Sequence, residues 1–204
     1  MPAAAWFAEL IEREMRPWLT LSEDQLSKLW GHYEVLLRWN EKISLTSIPA
    51  GEEMVVRHYC ESLFFALHFP ATSPENSVTD LGSGAGFPGV PMAIWRPAWR
   101  VTLLESNQRK AVFLREATRG LKNISVLARR AEAVQVGFDW LVSRGVGATA
   151  VLENVPRLAQ RVGLMLGEDD FSAIRSLFSV AWSAPIRLPW GDRRLCVFGV
   201  SRGT

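Results

Sequence analysis

Val78-Thr79-Asp80-Leu81 is a short apolar stretch that runs straight into Gly82-Ser83-Gly84-Ala85-Gly86-Phe87-Pro88-Gly89, and a helix-like stretch from Val90 to Trp95 follows. Few folds accept that order. Glycines at alternate positions let the backbone turn sharply and approach a ligand closely, and the helix that begins at the end of the turn presents free N–H groups. Roughly twenty residues on, Val101-Thr102-Leu103-Leu104-Glu105 is a second apolar run ending in an acid, the place where doubly wound sheets hold the ribose hydroxyls of an adenosine ligand. Together these segments predict an α/β fold with a mostly parallel sheet and a ligand that carries adenosine.

Two ligands compete for the turn. Read from Gly84, the run Gly84-Ala85-Gly86-Phe87-Pro88-Gly89 also satisfies the dinucleotide pattern G-x-G-x-x-G. Asp80 favours S-adenosylmethionine: a carboxylate at the strand end can order the loop and accept from the cationic methionine ammonium, whereas it would repel a pyrophosphate. Asp80, Gly82, Gly84 and Glu105 are therefore the first candidate cofactor contacts.

A chain of 204 residues with 48% hydrophobic content suits one core, or a core with a small appendage. No apolar run approaches the roughly 18 residues that span a bilayer, and Cys60 and Cys196 stand far apart, in no C-x-x-C pair. No metal-ligand spacing such as H-E-x-x-H occurs. The expectation is a cytoplasmic protein, a monomer, with no metal and no membrane partner.

Net charge is only +2, but it is unevenly spread. From Arg96 to Arg130 nine arginines and lysines face only Glu105 and Glu116, an excess of seven, while residues 1–62 carry ten acids against six bases. A basic flank beside an adenosine site suggests a polyanionic substrate such as nucleic acid, with Arg129 and Arg130 as candidate contacts. The spacing of Arg109, Arg115 and Arg119 equally fits an ordinary solvated helix face.

Before the loop the pattern is helical. Ser22-Glu23-Asp24-Gln25 is a capping box with Leu21 and Leu26 as its hydrophobic staple, and Leu26, Leu29, Trp30, Tyr33, Leu36 and Leu37 continue as one apolar stripe through Trp39. A second helix is expected over Gly51 to His68, with Arg57, His58 and Glu61 on neighbouring turns, either as an ion pair with a half-buried histidine or on the substrate side. After the loop the pattern predicts strands at Val101–Glu105, Ile124–Ala128, Phe138–Ser143 and Gly163–Gly167. Helices are expected at Asn107–Arg119 and Ala148–Val162, and Phe178–Leu188 and Leu195–Ser201 should form an antiparallel hairpin around Pro189 to Arg194. The expected division is a helical cap over residues 1–70, within the same compact unit, and a Rossmann-like domain over 71–204. Most of the nine tryptophans should be core, with Trp190 at the hairpin tip the exposed exception.

Several spaced segments resemble the bacterial glucose-inhibited division protein B family, also called small-subunit rRNA methyltransferase G. They are Arg38-Trp39-Asn40 with Leu45-Thr46, Arg57-His58 with Glu61-Ser62-Leu63, Asp80 to Pro91 with its Gly-Phe-Pro-Gly-Val-Pro ending, Val101 to Ser106, Lys110 to Arg115, Arg130-Ala131-Glu132 and Ser143-Arg144. The resemblance implies a class I S-adenosylmethionine-dependent methyltransferase fold and transfer of a methyl group to N7 of a guanosine in 16S rRNA or the small ribosomal subunit. Carried over by position, it places cofactor contacts on Gly82, Phe87, Ala131, Glu132 and Arg144. By its charge Arg144 could meet the methionine carboxylate or the rRNA, and on the substrate-side reading Arg57 and His58 are candidate RNA contacts. The chain departs from the family pattern at Ser44, at Arg144-Gly145-Val146-Gly147 and at Leu166-Gly167.

That chemistry fits an absence in the sequence. Guanine N7 has an available lone pair and needs no general base, and no nucleophile, base and orienter set stands out, so no catalytic residue is nominated. There is no Pro-Pro-aromatic tetrapeptide of the kind used on exocyclic amines, and neither cysteine follows a proline as in cytosine C5 enzymes. Two other functions remain compatible with the residues: an RNA-binding relative without turnover, and an NAD-dependent oxidoreductase.

Overall fold

The computed structural model describes residues 2–70, 75–191 and 193–202. Among the described residues eight strands form one sheet: β1 Ser77–Leu81, β2 Arg100–Leu104, β3 Ile124–Leu127, β4 Phe138–Arg144, β5 Ala159–Gly167, β6 Val180–Trp182, β7 Ile186–Arg187 and β8 Arg194–Ser201. The order is β3-β2-β1-β4-β5-β8-β6, with β7 also paired to β8. The five strands from β3 to β5 are parallel neighbours, and β8 runs antiparallel to β5, β6 and β7. The hairpin expected at the end of the chain is present, and its tip includes Asp192, which lies outside the described residues. Trp182 pairs with Gly199 and Ile186 with Cys196, so three residues on one side oppose two on the other. This bulge falls at Ser183-Ala184-Pro185, where Pro185 has no N–H to give to a ladder.

Helices cover the sheet. α1 Ala5–Met15 and α2 Glu23–Asn40 precede a continuous helical stretch made of α3 Glu52–Met54, a π-helical segment Val55–Cys60 and α4 Glu61–Leu67. The capping box of α2 is complete: Gln25 N–H donates to Ser22 Oγ (3.2 Å), Ser22 N–H donates to Gln25 Oε1 (3.0 Å), and Leu21 and Leu26 are buried. Gln25 Nε2 also donates to the Ile94 carbonyl (3.2 Å), tying α2 to the end of α5 Gly89–Trp95. Among the described residues the helices before β1 pack directly on the sheet. Phe65 of α4 stacks on Phe198 of β8 with ring centroids 5.0 Å apart, and one buried cluster runs from Phe7 and Leu29 through Val78 and Val101 to Phe198. A Cβ at Gly163 would stand 2.8 Å from the Phe65 ring, so glycine in β5 is what lets the helix settle on the sheet. The expected division point adjoins 71–74, outside the described residues.

Two expectations need correction. The helix expected over Ala148 to Val162 is instead α7 Ala148–Leu152 and α8 Val155–Leu158, and β5 begins at Ala159. Ala159 pairs with Phe138 on one side and Arg161 with Val200 on the other, and two-sided ladder bonding outweighs weak local helical periodicity. Trp190 is not an exposed tip: its ring packs on Trp18 and Phe64, and its Nε1 donates to Glu14 Oε2 (2.8 Å). Trp6 and Trp18, at 41% and 37% exposure, are the more open tryptophans. α6 Gln108–Ala117 follows β2, and α9 Glu168–Ile174, with three acids in its first turn, follows β5.

Candidate cofactor and acceptor cleft

β1 ends in the glycine turn because four backbone positions there suit glycine alone or nearly so. Gly82, Gly84 and Gly86 have φ of +72°, +54° and +91°, and a Cβ on Gly89 would press within 2.7 Å of Asp80 Oδ2. The turn is held from below and from the side by the two acids read from the sequence. Asp80 is fully buried, and its Oδ2 accepts from Gly89 N–H at the start of α5 (2.9 Å). Burial lifts this carboxyl to about 7, against the pull of the Gly89 N–H. Asp80 therefore orders the loop from beneath it, and its carboxylate lines neither cavity. Glu105, also buried, accepts from Gly84 N–H through Oε2 (2.9 Å) and from Asn107 N–H through Oε1 (2.8 Å), bridging the turn to the start of α6.

Two cavities meet at Gly82. The first, about 250 Å³, is walled by Gly82, Leu104, Ala131, Glu132, Val146 and Asn154, with Arg129 and Arg130 on its rim. Arg157 shapes this wall by donating to the carbonyls of Val134 (2.6 Å) and Ala131 (2.7 Å) and to Asn154 Oδ1 (2.6 Å). The second, about 260 Å³, is bounded by Gly82, Gly84, Phe87, His58, Lys110 and Arg144, with Leu45 and Gly145 completing it. Both open at the carboxyl ends of β1, β2 and β4, where open sheets bind ligands.

His58 reaches the second cavity because Asn40 folds the preceding loop. Asn40 Oδ1 accepts from the N–H groups of Leu45 (2.9 Å) and Thr46 (3.0 Å), and Thr46 Oγ1 then meets His58 Nε2 at 2.8 Å. Burial, helped by the charges of Arg144 and Arg57, lowers His58 to about 3; burial alone lowers His32, beneath the loop, to about 4. Neither imidazole carries charge at neutral pH. Arg144 is turned inward, with Nη2 3.2 Å from Glu61 Oε2 and Nη1 donating to the Arg57 carbonyl (2.6 Å).

The cleft thus gathers Gly82, Gly84, Phe87, Ala131, Glu132, Arg144 and His58, leaves Asp80 and Glu105 as supports of the turn, and places Arg57 just behind Arg144. Arg129 and Arg130, read from the sequence as RNA contacts, stand on the rim of the first cavity because they follow β3 in the loop that borders it. Asn154, Val146, Arg157 and Arg194 carried no local signal. Among the described residues no group of three or more histidine, cysteine or acidic side chains could hold a metal, and no helix is long and apolar enough to cross a membrane.

A glycine turn after β1, an acid at the end of β2, ligand space over the carboxyl ends of the strands and an antiparallel β8 between β5 and β6 define a class I methyltransferase fold. Fibrillarin from Aeropyrum pernix, solved with natively bound S-adenosyl-L-methionine, shares it with a TM-score of 0.54 at 15% identity, over 70% of this chain and 75% of that one. The chain belongs to the rRNA small subunit methyltransferase G (GidB) family, whose model matches residues 25–167. Ribosomal RNA small subunit methyltransferase G of Nitrosomonas europaea is 43% identical over 122 residues, 58% of this chain and 55% of that protein. The protein of that name from Xanthomonas campestris pv. campestris is 35% identical over 191 residues, 87% and 88% of the two lengths. The chain therefore spans little more than half the length of the Nitrosomonas relative in the matched region, and most of the Xanthomonas one.

Proposed function

We propose that this protein is an S-adenosylmethionine-dependent methyltransferase that methylates N7 of a guanosine in 16S rRNA, working in the cytoplasm where that RNA is found. The observation that carries the proposal is the pair of cavities joined at Gly82, one suited to an adenosine and the other to a methionine and an acceptor base. The residues fit the donor. A Cβ at Gly82 would run into Val146 across the junction, Ala131 and Glu132 offer backbone and carboxylate groups to the adenosine, and the amides of the glycine turn with Arg144 suit the methionine end. When bound, S-adenosylmethionine supplies an electrophilic methyl on a sulfonium. The chain's own task is to align an acceptor with it and to keep water out. Phe87, stacked under His58, offers an apolar wall, and neutral His58 adds no imidazolium to compete for the N7 lone pair. A proton acceptor is not needed, because N7 carries no hydrogen.

Calorimetry with S-adenosylmethionine and with NAD should show binding of the first alone. Radiolabelled methyl transfer to naked 16S rRNA or small subunits, followed by nucleoside mass spectrometry, should show 7-methylguanosine. Binding of NAD alone, or a label on any other atom, would end the proposal. Donor binding with no transfer to any RNA would favour a noncatalytic relative.

A further inference from the structure

A buried cluster of charge adjoins the second cavity through Arg144. Glu61, with a side chain 1% exposed, is shared by three guanidiniums. Arg57 Nε is 3.3 Å from Oε1, Arg144 Nη2 is 3.2 Å from Oε2, and Arg194 donates from Nη1 to Oε2 (2.7 Å) and pairs through Nη2 with Oε1. The groups come from the π-helical segment, α4, the end of β4 and the start of β8. Arg144 is held further by the Arg57 carbonyl, and Arg194 by the Trp190 carbonyl (3.2 Å). Among the described residues no other carboxylate pairs with any of the three. Three fixed cations on one anion leave two positive charges over, and the nearby His58 is neutral. The arginine side chains are 36%, 17% and 19% exposed for Arg57, Arg144 and Arg194. Arg144 and Arg194 are largely shielded from water while Arg57 opens to it, so an incoming anion can reach the cluster and meet charge that is only partly screened.

We propose that Arg57, Arg144 and Arg194, held in place by Glu61, form a subsite for one backbone phosphate of the RNA acceptor. The inference rests on the rRNA methyltransferase function proposed above and adds the point at which the nucleic acid is gripped. Planar guanidinium forks match phosphate oxygens. The forks of Arg144 and Arg194 are held by hydrogen bonds before the RNA arrives while Arg57 stands in ion-pair range of Glu61, so little side-chain entropy of the first two is lost on binding. Arg144 belongs both to this cluster and to the wall of the second cavity, which puts the phosphate grip beside the place for the base. The surplus is two, so one phosphodiester leaves a positive charge free for the donor's carboxylate.

Arg57 is the residue to change, because its side chain is the most exposed of the three and Arg144 bonds to its carbonyl, which any residue supplies. Two measurements on the full chain test the subsite in the wild type, Arg57→Gln and Arg57→Lys. Inorganic phosphate, compared with chloride at equal ionic strength, should raise the thermal midpoint of the wild type and not of Arg57→Gln. Binding of naked 16S rRNA between about 50 and 200 mM salt should lose close to one unit of log–log slope in Arg57→Gln, with affinity at the low-salt end down about five- to tenfold. Arg57→Lys should recover the slope. An unchanged slope, or phosphate stabilisation that survives in Arg57→Gln, overturns the subsite. The two proposals fail separately: methyl transfer by the wild type with an unchanged slope sinks only the subsite, and a lost slope without any methyl transfer sinks only the enzyme.

Discussion

The ring of His58 lies flat on that of Phe87, with centroids 4.5 Å apart and planes 9° from parallel. One ring belongs to the π-helical segment and the other to the glycine turn, so the stack couples the helical layer directly to the loop that would meet the cofactor. A charged imidazole could not hold that position cheaply, because burial and two arginines oppose it.

The first prediction concerns that charge. With its folded value lowered from 6.5 to about 3, His58 contributes stability that is fully present above pH 6.5 and is lost as the pH falls. The loss amounts to roughly 3 kcal/mol by pH 4. The His58 ring protons, followed by NMR, should not titrate between about pH 8 and pH 5. A midpoint near 6.5 would mean that the ring is solvated and the stack open.

Asp80 predicts the opposite slope. Its folded value is raised from 3.8 to about 7, so the native state holds a proton that the unfolded chain has released, and this contribution falls as pH rises from about 4 to 7 before levelling. Asp80→Asn keeps an acceptor for Gly89 N–H and removes the titration. In urea unfolding from pH 4 to pH 8, the wild type minus variant difference should therefore decline with pH. A difference that does not vary would show that Asp80 is ionised throughout.

Gly82 closes the junction between the two cavities, and it can be tested by adding one methyl. Gly82→Ala meets Val146 and requires an alanine at φ +72°, which costs about 1 to 2 kcal/mol in backbone strain alone. Donor affinity should drop at least tenfold. Adding Val146→Ala should return the steric part but not the strain, a positive coupling in a double-mutant cycle. Equal losses with and without the second change would place Val146 away from the junction.

The sequence disclosed the centre of this molecule better than its connections. The glycine turn and the capping box of α2 are local devices, set by residues a few positions apart, and each appears where its pattern predicted it. Glu105 stands at the end of β2 as expected, but its bond to Gly84 N–H joins two strand ends and was not legible locally. The end of α8 was misjudged because Ala159 to Val162 owe their conformation to β4 and β8, partners from segments ahead of and behind them in the chain. The Glu61 cluster was half visible: Arg57 and Glu61 stand four apart on a helix, but Arg144 and Arg194 reach them only through the folding of the sheet. The same holds for Arg129 and Arg130, whose charge was plain in the sequence while the cavity they border was not.

Arg157 supplies the last prediction, because its position gave no hint of a role in the cleft. Its guanidinium holds the carbonyls of Ala131 and Val134 and the amide oxygen of Asn154, and so fixes the turn after β3 against α8. It lies outside both cavities and holds the wall of the first, the one proposed to take the adenosine. Arg157→Gln cannot span the three acceptors, and the carbonyls of Ala131 and buried Val134 lose their donor. Such a change loosens ground state and transition state alike, which predicts a three- to tenfold rise in KM for S-adenosylmethionine with kcat nearly unchanged. Arg157→Lys should recover little, since one ammonium cannot reproduce the fork. A fall in kcat with constant KM would instead tie Arg157 to alignment of the acceptor, and no change in either would make its three bonds a surface feature without consequence for the donor.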